Sequence, residues 1–170
     1  MKIATLAIIT RENPVTRKKQ VLLGLKRGGS EIGDGTLNGP GGKFDPEQGD
    51  RTNIDCLLRE TQEEVMLNLD PAKVEKCAVI TFYAAGEPSF EVHIYRSSIF
   101  AGEPQETKSM IPDWYDIDDI AEIARERMLE SDRKWFPKLI QGEKFNAHVY
   151  YREKAKGFLN IEFLPFVNSD

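Results

Sequence analysis

Seven glycines fall between positions 28 and 42 (Gly28, Gly29, Gly33, Gly35, Gly39, Gly41 and Gly42), and nothing else in the chain restricts its folding as strongly. Glycine loses more conformational freedom on ordering than any other residue, so such a run suits neither a helix nor an ordinary strand. It reads as a loop along which the backbone approaches something closely. The apolar pattern changes across it. Residues 2–10 and 20–26 are β-rich runs parted by a polar, Pro-containing turn, and are expected as strands. Beyond the glycines, Ile54, Leu57, Leu58, Thr61 and Val65 recur at helical spacing and predict a helix over roughly 52–67.

Two more strands are expected near 74–84 and 89–100, joined by Gly86-Glu87-Pro88. Short helices near 117–126 and 132–140 and a closing hairpin near 145–151 and 158–164 complete the chain. This interleaving predicts an α/β (α+β) fold with helices packed on a mixed sheet. No repeat or linker divides the 170 residues, so one domain is expected over 1–170.

Lysine and arginine number 23 against 28 acidic residues, a net charge of −5. A polyanion-wrapping surface needs a basic excess, so duplex nucleic acid is not an expected partner. A small phosphorylated molecule is compatible, given a metal or a local basic pocket. Cys56 and Cys77 are too few for a disulfide framework or a zinc site. The first ten residues are apolar but too short to cross a membrane, and no small-residue cleavage site follows them. No signal peptide or membrane association is expected, and the cytoplasm is the default location.

The chemistry is concentrated in Arg59-Glu60-Thr61-Gln62-Glu63-Glu64. At about 100° per residue, Glu60, Glu63 and Glu64 fall within roughly a 100° arc, away from the stripe of Ile54, Leu58 and Val65. A plain solvated acidic face is one reading. The glycines upstream favour another. Magnesium takes one or two carboxylates plus substrate phosphate oxygens, and a close backbone can add a carbonyl. Cations would be needed, since a like-charged pair about 4 Å apart costs roughly 4 kcal/mol even at an effective dielectric of 20.

These residues resemble the signature of the Nudix hydrolases: Gly, five residues, Glu, seven residues, then Arg-Glu-apolar-x-Glu-Glu-x-Gly-apolar. Gly42 matches the opening Gly, and Arg59-Glu60-x-x-Glu63-Glu64 matches the catalytic core. The segment between them is about three residues longer than the pattern, and the early Glu is placed at Glu47. Thr61 stands at the apolar position and Met66 at the late Gly. The resemblance implies a Nudix fold, a mixed sheet sandwiched between helices. It also implies Mg2+, with Mn2+ as the alternative, on Glu60, Glu63, Glu64 and the Gly42 carbonyl. Arg59 would orient the carboxylates, and either Glu63 or Glu64 would be the base.

Outside the signature the chain is similar to the MutT-homologue branch, the oxidised purine nucleoside triphosphatases. The similarity runs through Val21-Leu22-Leu23-Gly24-Leu25-Lys26, Asn38-Gly39-Pro40-Gly41-Gly42-Lys43, Gly86-Glu87-Pro88, Val92-His93 and Trp135-Phe136-Pro137. It implies that Asn38 and Asp132 read a purine, with Thr5, Lys26, Gly41, Lys43, Phe82, Phe90, Met110 and Trp135 completing the nucleotide site. Asn38-Gly39 is equally a turn signal. The branch's acidic partner and stacking Trp become Ser131 and Leu129, and losing an aromatic platform removes roughly 1–3 kcal/mol of base binding. Ser109 occupies the slot of a further acidic residue, with Glu106 close enough in sequence to reach in. His93 is expected to be structural.

The implied activity is Mg2+-dependent cleavage of a purine (deoxy)nucleoside triphosphate, 8-oxo-dGTP among the candidates, to the monophosphate and pyrophosphate. A nucleoside diphosphate derivative, an RNA 5′ end or slow-turnover nucleotide sensing are the alternatives. No residue pattern sets an oligomeric state.

Overall fold

Along the first strand, β1 (Lys2–Glu12), Leu6 and Ile8 point one way and Ala7 and Ile9 the other, and all four are buried. A strand apolar on both faces belongs inside a sheet covered on both sides. The structure, a computed structural model, describes residues 1–29 and 32–169. Ser30 and Glu31 in the glycine-rich run, and Asp170 at the end of the expected domain, lie outside the described residues.

The remaining strands are β2 (Lys19–Lys26), β3 (Leu37–Asn38), β4 (Gly41–Lys43), β5 (Asn68–Leu69), β6 (Glu75–Ala84), β7 (Glu87–Ser97), β8 (Phe100–Ala101), β9 (Met110–Asp116), β10 (Phe145–Glu153) and β11 (Lys156–Leu164). The helices are α1 (Asn53–Val65), α2 (Ile120–Arg127) and α3 (Asp132–Ile140). The sheet order is β11-β10-β6-β7-β1-β2-β3, with β4 also on β1 and β9 also on β2. β1 runs parallel to β7, and β10 runs parallel to β6, while the other pairs are antiparallel. Leu6, Ile8, Val21 and Leu23 pack with Ile120, Trp135, Phe136 and Leu139 of α2 and α3. Ala7, Ile9 and Leu22 pack with Leu57 and Val65 of α1. The mixed sheet is thus sandwiched between helices, as expected.

The sequence pattern does not announce β9, because Pro112, Asp113 and Asp116 mask it. Among the described residues it pairs only with β2, an edge position that tolerates a proline. Its pleat turns Met110 into the α1-side core against Gly24, where a Cβ would overlap the Met110 thioether. The expected 117–126 helix is a single 3-10 turn (Ile117–Asp119) leading into α2.

Both ends of α1 are fixed locally. Thr52 and Asp55 form a reciprocal capping box, with Asp55 N donating to Thr52 Oγ1 at 3.1 Å and Thr52 N donating to Asp55 Oδ2 at 2.8 Å. At the exit, Met66 adopts the left-handed conformation, φ 63°, that a glycine would take more cheaply. The Gln105 N–H and the Thr107 hydroxyl cover the Val65 and Glu64 carbonyls at 3.0 and 2.8 Å. Thr61, at the expected apolar position, is fully buried and its hydroxyl has no hydrogen-bond partner among the described residues. Replacing it with the isosteric Val should therefore raise unfolding stability by about 1–3 kcal/mol. A urea midpoint moving up at unchanged slope would show this; a midpoint moving down would reveal a hidden partner for the hydroxyl.

Candidate active site

Arg59 is clamped on every side. Its Nε and Nη2 donate to Asp50 Oδ1 and Oδ2 at 2.9 and 2.7 Å, and Nη2 also donates to the Lys43 carbonyl at 3.0 Å. Its Nη1 donates to Glu60 at 2.9 Å and to Glu63 at 3.1 Å. The Asp50 side chain is 2% exposed and that of Arg59 is 14%, so the pair lies largely away from water. The bidentate guanidinium holds the Asp50 carboxyl below its usual range, and Asp50 raises the Arg59 pKa in return.

Asp50 takes the place intended for Glu47. Glu47 is exposed in a 3-10 turn (Pro46–Gln48) and is not the acid bound to Arg59. Counting back from Arg59 through the signature, rather than forward from Gly42, arrives at Arg51, the neighbour of Asp50; this was the available signal.

The glycines meet this helix edge-on. β4 pairs with β1 through Leu6↔Gly41 and Thr5↔Gly42. A Cβ on Gly41 would overlap the Thr5 carbonyl, and one on Gly42 would overlap the Glu60 carboxylate. Only glycine lets the strand lie against both. The Gly41 N–H donates to Glu64 at 2.9 Å, and Cys56 Sγ, beneath the strand, lies 3.6 Å from the Gly42 carbonyl and 3.3 Å from Thr5 Oγ1.

Burial pushes Glu64 up to about 7, with the Gly41 N–H and Lys26 pulling the other way. Burial raises Glu60 too, against its bond to Arg59.

Glu60 and Glu64 line one end of a cavity of about 380 Å3, together with Thr5, Gly41, Gly42 and Lys43. Lys26, Phe82 and Phe90 also line it, and Asn38, Asp132 and Trp135, joined by hydrogen bonds, line the far end. The structure therefore gathers these sequence-named residues around one space. Arg59 stands behind it, and Glu63, 50% exposed, turns to Arg59. Met110 lies outside it, fully buried in the α1-side core. Glu106 does not reach in from its loop: it is exposed and paired with Arg27 at 2.7 Å. His93 is buried at the α1 entrance, 3.2 Å from the Asn53 amide and 2.9 Å from Glu91. Tyr151, Lys154 and Ala155 of the closing hairpin also line the cavity and carried no sequence signal.

At the far end Asp132 is 2% exposed. Ser131 Oγ and Trp135 Nε1 both donate to its Oδ1 at 3.1 Å. The Asn38 amide donates to Oδ2 at 3.2 Å, while the Asn38 oxygen accepts from the Gly39 N–H at 2.9 Å. Burial pushes Asp132 up to about 6, opposed by the Ser131 and Trp135 bonds and by Lys26. Leu129 stands in the wall as an aliphatic surface.

Among the described residues, no group of three or more His, Cys, Asp and Glu side chains converges on a metal-sized point. Glu60 and Glu64 supply two buried carboxylates at the same end of the cavity, which fits a hard cation completed by substrate phosphates. Such a site belongs to a protein acting on a small phosphorylated molecule.

The NUDIX domain matches residues 2–139. The chain is 35% identical over 139 residues to a Danio rerio protein named oxidized purine nucleoside triphosphate hydrolase, spanning 81% of this chain and 83% of that one. It is 34% identical over 141 residues to the Mus musculus protein of the same name, spanning 82% and 84%. In fold it is similar to the crystal structure of the mMutator MutT protein from Bacillus halodurans, with a TM-score of 0.74 at 16% identity over 96% of this chain and 97% of that one. The chain belongs to the NUDIX family. Among the described residues, no helix is long and apolar enough to cross a membrane.

Asp132 makes a pH-dependent contribution to stability with a definite sign. A carboxyl raised from 3.8 to about 6 on folding favours the protonated state, so stability is lost as pH rises through this window. Asp132→Asn removes that loss, which is worth up to about 3 kcal/mol. The melting temperature of the variant relative to the native chain should climb between pH 4 and pH 7; an offset constant across that range would contradict the assignment.

Proposed function

We propose that the chain hydrolyses purine (deoxy)nucleoside triphosphates, oxidised ones such as 8-oxo-dGTP included, to the monophosphate and pyrophosphate with Mg2+. The observation that carries this is one cavity with two buried carboxylates against glycine backbone at one end and a hydrogen-bonding Asn38–Asp132 pair at the other. The names of the relatives from Danio rerio and Mus musculus support the same substrate class.

Each residue has a chemical part. The base enters between Phe82, Leu129 and Trp135 and exchanges for the Asn38–Asp132 contact. Asp132 Oδ1 is committed to Ser131 and Trp135, so Oδ2 and the Asn38 amide are the groups left to read a base edge. Lys26, between the two ends, offsets charge near both Glu64 and Asp132. Asp50 and Arg59 hold Glu60 and Glu63 in place. A divalent cation held by Glu60 and Glu64 would neutralise phosphate oxygens and make the attacking water more acidic. Glu64 is the better placed general base, because it lines the cavity and is aimed by the Gly41 N–H, whereas Glu63 faces Arg59.

Leu129 in place of an aromatic platform should relax discrimination between bases. The test is pyrophosphate release from a panel of normal and oxidised purine and pyrimidine triphosphates with Mg2+. Purines should be turned over, and 8-oxo-dGTP should be among the best. Glu64→Gln should lower kcat about 10²–10⁴-fold, and Glu63→Gln distinctly less. Tight nucleotide binding without turnover of any member would sink the hydrolase reading.

A further inference from the structure

Tyr151 stands near the end of β10, 5% exposed, and lines the cavity. Its ring is aimed by the strands around it. The pairing of β10 with β11 shifts register between Tyr150 and Tyr151, an irregularity that redirects a side chain. Phe158, paired with Tyr151, meets the ring edge-on with centroids 5.7 Å apart. The parallel pairing with β6 sets Tyr151 against Ala84, which also lines the cavity.

The Tyr151 hydroxyl accepts the Ser131 N–H at 3.1 Å. Ser131 is 1% exposed and immediately precedes α3, where a backbone N–H finds no partner within the helix. Left alone at that depth, the N–H would be costly. Serine often caps such an end with its own hydroxyl, but here no side-chain cap bond forms. The Ser131 Oγ donates instead to Asp132 Oδ1 at 3.1 Å, beside the Trp135 Nε1 bond to the same oxygen. Burial holds the Tyr151 phenol above its ordinary range, so the hydroxyl stays neutral.

Ser131, Asp132 and Trp135 belong to one stretch of chain and would shift together if it moved. Tyr151 ties that stretch to the sheet from a separate element. With the tie in place, Asp132 Oδ1 stays turned to Ser131 and Trp135, and Oδ2 stays toward Asn38. Without it the carboxylate can turn, and no single oxygen is held toward a ligand.

We infer that Tyr151 is a positioning residue of the base end: through Ser131 it fixes which oxygen of Asp132 meets the substrate, and so sets selectivity for the base. The inference rests on the proposed placing of the base at Asn38 and Asp132.

Tyr151→Phe keeps the ring and removes only the hydroxyl, and Ser131→Ala removes the bond to Asp132. Calorimetric titration of 8-oxo-dGMP into the native chain, each variant and the double variant completes a cycle. Each single variant should bind about tenfold more weakly. The double variant should be little weaker than either, because both changes act on one carboxylate. Pyrophosphate with Mg2+, which needs only the carboxylate end, should bind native and variant chains alike. A further readout needs no ligand. The chain has two tryptophans, and the Trp135 indole N–H bonds Asp132 whereas Trp114 stacks on Phe100. In proton–nitrogen correlation spectra, Tyr151→Phe should shift the Trp135 indole resonance. The Trp114 resonance should stay in place, which also shows that the variant folds. Full affinity in Tyr151→Phe, losses that multiply in the double variant, equal weakening toward pyrophosphate or an unmoved Trp135 resonance would each overturn the positioning role. Failure of the native chain itself to bind 8-oxo-dGMP would instead overturn the proposed function, and the indole resonance would still decide whether Tyr151 holds Asp132.

Discussion

Arg59 and Asp50 meet almost out of reach of water, and the acidic edge of α1 depends on that meeting. A guanidinium with two bonds to one carboxylate is fixed in plane and direction, so its remaining N–H groups are aimed. They are aimed at Glu60 and Glu63, one turn of α1 apart. Removing one partner of such a buried pair leaves the other charge unsatisfied, a cost of about 3–5 kcal/mol. Asp50 is itself held, because the Asp45 N–H donates to its Oδ2 at 2.8 Å. The longer segment between Gly42 and α1 therefore does structural work: it delivers the acid that the shorter form of the signature supplies from elsewhere.

The same edge shows why the local rules of stability are broken here. Glu60 and Glu64 are drawn out of water with no full complement of partners, and burial raises both pKa values. Thr61 buries a hydroxyl with no acceptor among the described residues, and Met66 accepts a backbone conformation suited to glycine. These costs cluster within one helix and its exit, while the two cores on either side of β1 are apolar and well buried. A fold that concentrates its unfavourable choices beside a cavity is placing them where chemistry needs them.

Much of this was legible from residue order alone. The continuous apolar runs of β1 and β2, the amphipathic stripe of α1 and the grouping of Glu60, Glu63 and Glu64 follow from composition, period and spacing. Asn38, Asp132 and Trp135, far apart in sequence, came from resemblance and meet at one end of the cavity. What escaped had physical causes. The strand β9 carries Pro112 and acidic residues, tolerable because among the described residues β2 is its one pairing partner. Asp50 was hidden by the lengthened loop, and Met110 was misplaced because the pleat of an unrecognised strand sends it to the opposite core. Lys154 comes near Phe90 on a turn whose place depends on the parallel pairing of β10 with β6, a contact no local pattern announces.

Manganese affinity is the most direct measure of whether the Asp50–Arg59 pair organises a cation site. Mn2+ can be titrated into the chain and the free ion followed by electron paramagnetic resonance, comparing the native protein with Asp50→Asn. Asp50 lines no part of the cavity, yet the variant should bind the ion about 10–100-fold more weakly, as loss of an outer support does at metal sites. A folded Asp50→Asn chain that binds Mn2+ as tightly as the native one would contradict the proposed role of the pair.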